Sequence, residues 1–235
     1  MSLFLVVALV AALGVLYLVS RVVVRRRRVR ASRQRARGPL PDSAKRAQER
    51  AQELLGRSDV LIAATKATSF QPSAEVIELS LVDTTGAVRL DRVMLPTGTI
   101  TREAIAAHGL DRDELQRLQA PHYLDVHEEI ETALAAATVV LAYDAPLEHR
   151  RLYRTAAGHE RELPEAPWEC AQVLYAEYAD KRSGTGTDSR RWTLSQAVRR
   201  EGVPAGKPHL RALGDCRTVL HLLQRITGSD VTDSG

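Results

Sequence analysis

Cysteine is scarce: the 235 residues contain two, Cys170 and Cys216. They form no CxxC and have no nearby histidine pair, which argues against zinc frameworks. Two lone cysteines fit a reducing compartment, where each serves as a small core residue. Acid is absent before Asp42, whereas nine arginines lie between Arg21 and Arg37. Of the 33 Lys and Arg residues, removing those nine leaves 24 against 29 acids, a balance of about −5. The formal net charge of +4 therefore describes one block and not the chain as a whole. A nucleic-acid partner held by charge alone is correspondingly disfavoured outside that block.

No basic residue precedes the apolar run Leu3 to Val19, which resumes at Val22 to Val24 after Ser20 and Arg21. A signal peptide would carry a charged leading segment and a small-residue cleavage site. About 20 apolar residues suffice to cross a bilayer. Residues 1–24 therefore read as a retained transmembrane anchor, with Arg21 snorkelling to the interface. Arg25 to Arg28, Arg30, Arg33, Arg35 and Arg37 flank only its C-terminal side. The positive-inside rule then places the N-terminus outside and the rest in the cytoplasm, at the cell membrane. The arginines can lie on anionic headgroups, act simply as a stop-transfer signal, or form a nucleic-acid arm.

Residues 25–57 form a basic juxtamembrane segment, a hinge (ARGPLP, Ala36 to Pro41) and a helix. Asp42 or Ser43 caps that helix and Gly56 stops it. It is charged, lacks a sustained heptad pattern, and reads as a spacer between the bilayer and the domain. A folded domain then occupies residues 58–227, and 228–235 reads as a frayed, disordered tail.

Within the domain, Asp59 to Thr65 is an unbroken apolar strand, buried on both faces. Ala74 to Asp83 alternates, Thr84-Thr85-Gly86 turns, and Ala87 to Met94 returns as a hairpin partner. Thr101 and Asp111 each cap a short helix. Pro121 opens a longer one with Val126, Ile130, Leu134 and Ala137 on one face. Thr138 to Ala142 is a short buried strand. Helices follow from Pro146 to Ala157, Trp168 to Tyr178, Trp192 to Arg200 and Leu210 to Ile226. The polar loop Asp180 to Arg190 contains GTG, but no strand enters it and no GKS or GKT ends it, so it is not a phosphate loop. Three strands, helices, one strand and more helices make an α/β domain with a mixed sheet.

The order and landmarks of Ser58 to Ile226 resemble the DEDD 3′–5′ exonucleases of the ribonuclease H-like superfamily, which include the DnaQ-like and RNase T-like proteins. The first strand runs into Ala64-Thr65-Lys66-Ala67-Thr68-Ser69, where the family has D-x-E-T-T-G. Glu75-Val76-Ile77-Glu78-Leu79 is similar to the second strand, and His108-Gly109-Leu110 to a helix-end signature. Ala142 to Glu148 (AYDAPLE) resembles the second motif, and Leu210 to Cys216 (LRALGDC) the third. The resemblance implies a ribonuclease H-like mixed sheet flanked by helices. It also implies two-metal hydrolysis, with Mg²⁺ or Mn²⁺ on carboxylates and a histidine as general base.

Several of those positions depart from the family pattern. Ala64 and Lys66 stand where the first strand should carry two carboxylates, and Leu210 where the third motif should carry histidine. Glu148 replaces an aspartate, Asp215 is kept, and His209 lies one residue before the histidine slot. The degenerate catalytic set is therefore Glu148, Asp215 and His209. Asp144, Glu148 and Asp215 could together hold at most one metal ion, Mg²⁺ or Mn²⁺ if the chain is active; otherwise no cofactor is expected. Alternatively Lys66 pairs with Glu148 or Asp215 and fills the old metal position. Lys66, with Thr68, could also contact phosphate. Three functions follow. The first is a membrane-anchored pseudo-exonuclease that binds nucleic acid, a nucleotide or a protein partner. The second is an active exonuclease with a rearranged site. The third is a cytoplasmic protein-interaction module that binds no nucleic acid.

Overall fold

A computed structural model describes residues 42–180, 192–207 and 210–229. The expected anchor, the arginine block, most of the polar loop after Asp180, His209 and the end of the tail lie outside the described residues. Among the described residues no helix is long and apolar enough to cross a membrane.

Strands β1 (Val60–Ala67), β2 (Val76–Asp83) and β3 (Val88–Val93) form an antiparallel meander. Helices α1 (Asp42–Leu55), α2 (Arg102–His108), α3 (Arg112–Arg117) and α4 (Tyr123–Ala135) are followed by β4 (Val139–Ala142) and α5 (Ala145–Gly158). Strand β5 (Trp168–Cys170) leads directly into α6 (Ala171–Asp180), and α7 (Leu194–Glu201) and α8 (Ala212–Thr227) complete the described elements. The sheet order is β3-β2-β1-β4-β5, with β1, β4 and β5 parallel.

The short helices begin and end where their residue types require. Thr101 accepts from Ala104 N–H at the start of α2, and Gly109 takes the left-handed conformation that closes it. Asp111 caps α3 through Glu114 N–H. On α4, Val126, Ile130 and Leu134 are buried, as their spacing requires, against Leu61, Leu79 and Leu81 of the sheet. Leu152 and Ala156 of α5 join the same cluster. Helix α8 covers the opposite face of β1 and β2. Its Cys216 is fully buried and donates its thiol to the Ser80 carbonyl, consistent with a core cysteine.

Two expectations are corrected. The Trp168 to Tyr178 segment is not all helix: its first three residues pair in parallel with Val140, Leu141 and Ala142 as a fifth strand. Three residues are too few to display a period of two, whereas the neighbouring edge of β4 offers its unpaired backbone directly. The helix over 42–55 is not a free spacer. Ala44, Ala47, Ala51 and Leu54, spaced by three and four, are buried where α1 packs on α6 and α8. Gln48 donates to the Ile226 carbonyl, and Arg50 forms an ion pair with Glu169 of β5. An alanine stripe is narrow, and it buries well because the two backbones can approach closely.

Candidate functional site

Strand β1 alternates its side chains between the faces of the sheet. Leu61 and Ala63 point into the cluster under α4 and α5, so Thr65 faces α5. Ala64 and Lys66 occupy the other face, under α8. Adjacent residues at the end of one strand thus reach two different helices. Thr65 donates its hydroxyl to the Glu148 carboxylate of α5. Lys66 places its Nζ 2.6 Å from Oδ2 of Asp215 on α8. The expected ion pair of Lys66 is therefore made with Asp215. The Lys66 side chain is 15% exposed and that of Asp215 40%.

The position of Asp215 is set by the start of α8. Glu78 lies directly opposite Lys66 in the β1–β2 register. It is buried, and its carboxylate accepts from Arg211 Nε at 2.7 Å and from the Ala212 backbone N–H at 3.1 Å. This carboxylate satisfies an otherwise orphaned donor at the helix terminus and favours the positive end of its dipole. The first turn of α8 is thereby fixed beside Lys66, with Asp215 one turn inside it. Leu210, just ahead, is exposed and has φ near 65°, a left-handed conformation that branched side chains rarely adopt.

Helix α5 starts as β4 ends, with Asp144 at its N-cap position and Glu148 one turn later. Glu148 as a residue is partly buried, and packed atoms surround its carboxyl group. That desolvation raises its pKa to about 7, against the opposing effects of the Thr65 hydrogen bond and the Arg151 charge. Arg151, three residues further on, is buried. It donates through Nη2 to the Ser69 carbonyl at 3.2 Å, while its Nε has no partner. Burial pulls its pKa down, and the charges of Glu148 and Asp144 resist this.

The Glu148 shift has a definite sign. In the unfolded chain the carboxyl ionises near its usual 4.5, and in the folded chain near 7. Between those values the folded state retains a proton that the unfolded state has lost. The stabilisation is therefore fully present below about 4.5 and is lost as pH rises to about 7. The loss is at most about 3 kcal/mol. Urea midpoints measured across this window should decline less steeply in Glu148→Gln than in the wild type.

The remaining predicted residues fall as follows. Thr68 is buried, and its hydroxyl accepts from Glu75 N–H, so it is engaged within the fold. His108 is also buried. Its Nδ1 accepts from Leu110 N–H, leaving Nε2 to donate to the Ala67 carbonyl at the end of β1. Burial lowers the pKa of this histidine. Sequence reasoning missed Thr65, Arg151 and the Glu78–Arg211 pair. Only Arg151 carried a signal, its three- and seven-residue offsets from Glu148 and Asp144 on one helix face.

Two divalent ions do not fit these residues. Ala64 offers no oxygen, the Lys66 ammonium takes Asp215, and the Glu148 carboxyl is turned to Thr65. Among the described residues, no three His, Cys, Asp or Glu side chains form a group able to hold a metal ion.

No protein-family model matches the chain. It is 34% identical over 170 residues to the uncharacterised exonuclease CP81 of Escherichia phage 186, covering 69% of this chain and 84% of the phage protein. The chain belongs to the DEDD exonuclease family. Among solved structures, cell-death related nuclease 4 superposes with a TM-score of 0.53 at 15% identity, over 72% of this chain and 63% of that one. This shared geometry is the ribonuclease H-like exonuclease fold. Exonuclease X, solved with a 5′-overhanging duplex DNA, gives a TM-score of 0.49 at 20% identity, over 72% and 91% of the respective chains. The five-stranded mixed sheet and the α5 helix that follows β4 are the parts of the chain that carry this fold.

Proposed function

We propose that this chain is a membrane-anchored DEDD exonuclease-fold protein that has lost metal-dependent hydrolysis and serves as a binding module for nucleic-acid ends or nucleotides. The observation that carries this reading is the 2.6 Å contact between Lys66 Nζ and Asp215, with Ala64 beside it on the same face of β1. A fixed ammonium neutralises a carboxylate, but it neither polarises a phosphoryl oxygen nor lowers the pKa of a water. The ligand class is suggested by the exonuclease relatedness, and by the site's position at the carboxyl ends of the parallel strands β1 and β4, where open α/β sheets bind ligands. Anchoring is supported by the apolar run of residues 1–24 and the arginines that follow it.

The test uses the full-length chain in detergent with end-labelled single-stranded DNA and RNA. No nucleotides should be released with Mg²⁺ or Mn²⁺, while labelled strands should be retained on filters. Metal-dependent release that disappears in Asp215→Ala would overturn the loss of hydrolysis. Absence of any nucleic-acid or nucleotide binding would instead favour the protein-interaction module, for which the acidic balance of about −5 outside the arginine block already speaks.

A further inference from the structure

We infer that the outer edge of β3 is a dimerisation surface, where a second copy of this chain pairs its own β3, antiparallel and centred on Leu90. The surface lies two strands away from β1, and the inference does not depend on whether hydrolysis has been lost.

Strand β3 ends the sheet, and among the described residues no strand lies beyond it. Met94 donates its N–H to the Ile77 carbonyl of the neighbouring strand. Along an antiparallel ladder, successive residues turn both backbone groups to opposite sides. Leu90 and Arg92 therefore bond β2, whereas Asp91 and Val93 present N–H and C=O outward. Arg89 is the extra residue of a bulge and has no partner on β2. Such an edge is a template for another strand. Helix α4 does not close over it: an open groove of about 780 Å³ separates Leu90 and Arg92 from Glu129 and Thr132.

Charged edge residues ordinarily keep other chains away. Here the charges have both signs, and they select one partner and one register. Outward groups meet outward groups only when the two-fold axis passes through a residue. Centred on Asp91, it sets that carboxylate against itself, and centred on Arg89 or Arg92 it sets an arginine against itself. Centred on Leu90, it sets Arg89 against Asp91 twice, and Val88 against Arg92. Opposite charges facing each other across a ladder stabilise it, and like charges destabilise it. Both groups are held ready at the edge. Arg89 donates through Nε to Asp83 at 3.0 Å while its side chain stays 56% exposed, and Asp91 accepts from Ser80 Oγ at 2.6 Å. Val88, itself 45% exposed, would be covered by the apolar stem of the opposing Arg92. The two five-stranded sheets then join into one, with both copies of α4 on one face and both copies of α8 on the other.

The test uses the full-length chain in detergent, with its mass followed by sedimentation across a concentration series. The wild type should be a dimer that dissociates on dilution. Arg89→Glu and Asp91→Arg each set like charges against one another in this register, so each should raise the dimer Kd at least tenfold. Mixing these two variants, or combining both changes in one chain, restores opposite charges at both pairs and should recover association. In a second measurement, chains carrying Val88→Cys and Arg92→Cys are oxidised together and apart. The mixture should give a disulfide-linked dimer, and neither variant alone should. If Arg89→Glu does not fold, because it sets an acid beside Asp83, Asp91→Arg and the cysteine pair still decide. A monomeric wild type overturns the inference. So does a wild-type dimer whose Kd neither charge reversal changes, which would place the contact elsewhere in the chain, the apolar run of residues 1–24 included.

Discussion

If hydrolysis has been lost as proposed, Ala64→Asp combined with Lys66→Glu is expected to confer Mn²⁺-dependent nucleotide release that the wild type lacks. The two positions lie two apart on β1, so their side chains share the face covered by α8. New carboxylates there would join Asp215, freed by removal of the ammonium that holds it at 2.6 Å. Oxygen ligands from a strand and a facing helix suit hard divalent ions. The double variant would still lack a general base, because Leu210 has no titratable group. Its rate should therefore lie about 10²–10⁴-fold below that of the triple variant that adds Leu210→His. Histidine is favoured over leucine on conformational grounds as well, since position 210 has φ near 65° and histidine is several-fold enriched in that region. Timed release of end-labelled nucleotides, with Mn²⁺ binding measured in parallel, checks both steps. A double variant that binds no Mn²⁺ would sink the view that the end of β1 is a former metal site.

The largest stability effect should come from Glu78→Ala. Glu78 is 1% exposed, and its carboxylate holds both Arg211 and the first backbone N–H of α8. Removing this buried carboxylate strands the Ala212 N–H and leaves the partly exposed Arg211 without its partner, at a cost of about 1–3 kcal/mol. In a domain of this size that corresponds to a fall in Tm of roughly 2–12 °C. Glu78→Gln keeps an acceptor for Ala212 N–H and should cost less. The double variant Glu78→Ala/Arg211→Ala should be milder than the sum of the singles, because neither charge is stranded. Differential scanning calorimetry of all four chains measures the coupling. Additive losses would show that Glu78 and Arg211 act independently.

The parts of the fold visible in the sequence were those written in local chemistry. The caps at Thr101 and Asp111, the stop at Gly109 and the apolar face of α4 are each specified by residues within one or two turns. The exonuclease relationship was visible too, because its motifs are short and ordered along the chain. What stayed hidden depends on partners far apart in sequence. Strand β5 exists because β4 lies beside it, and α1 docks because its alanine stripe meets α6 and α8. The sequence left Lys66 a choice of two carboxylates, and only the alternation of β1 assigns it to Asp215 and gives Glu148 to Thr65. The Glu78–Arg211 clasp spans 133 residues and has no local signature.

The split at the end of β1, with Thr65 bound to one helix and Lys66 to another, has a consequence for time scale. The end of this strand is riveted through both faces of the sheet at successive residues, so it cannot loosen toward one helix without pulling on the other. The backbone amides around these residues should then exchange with solvent only as slowly as the whole domain unfolds. The end of β1 should be among the last parts of this domain to open.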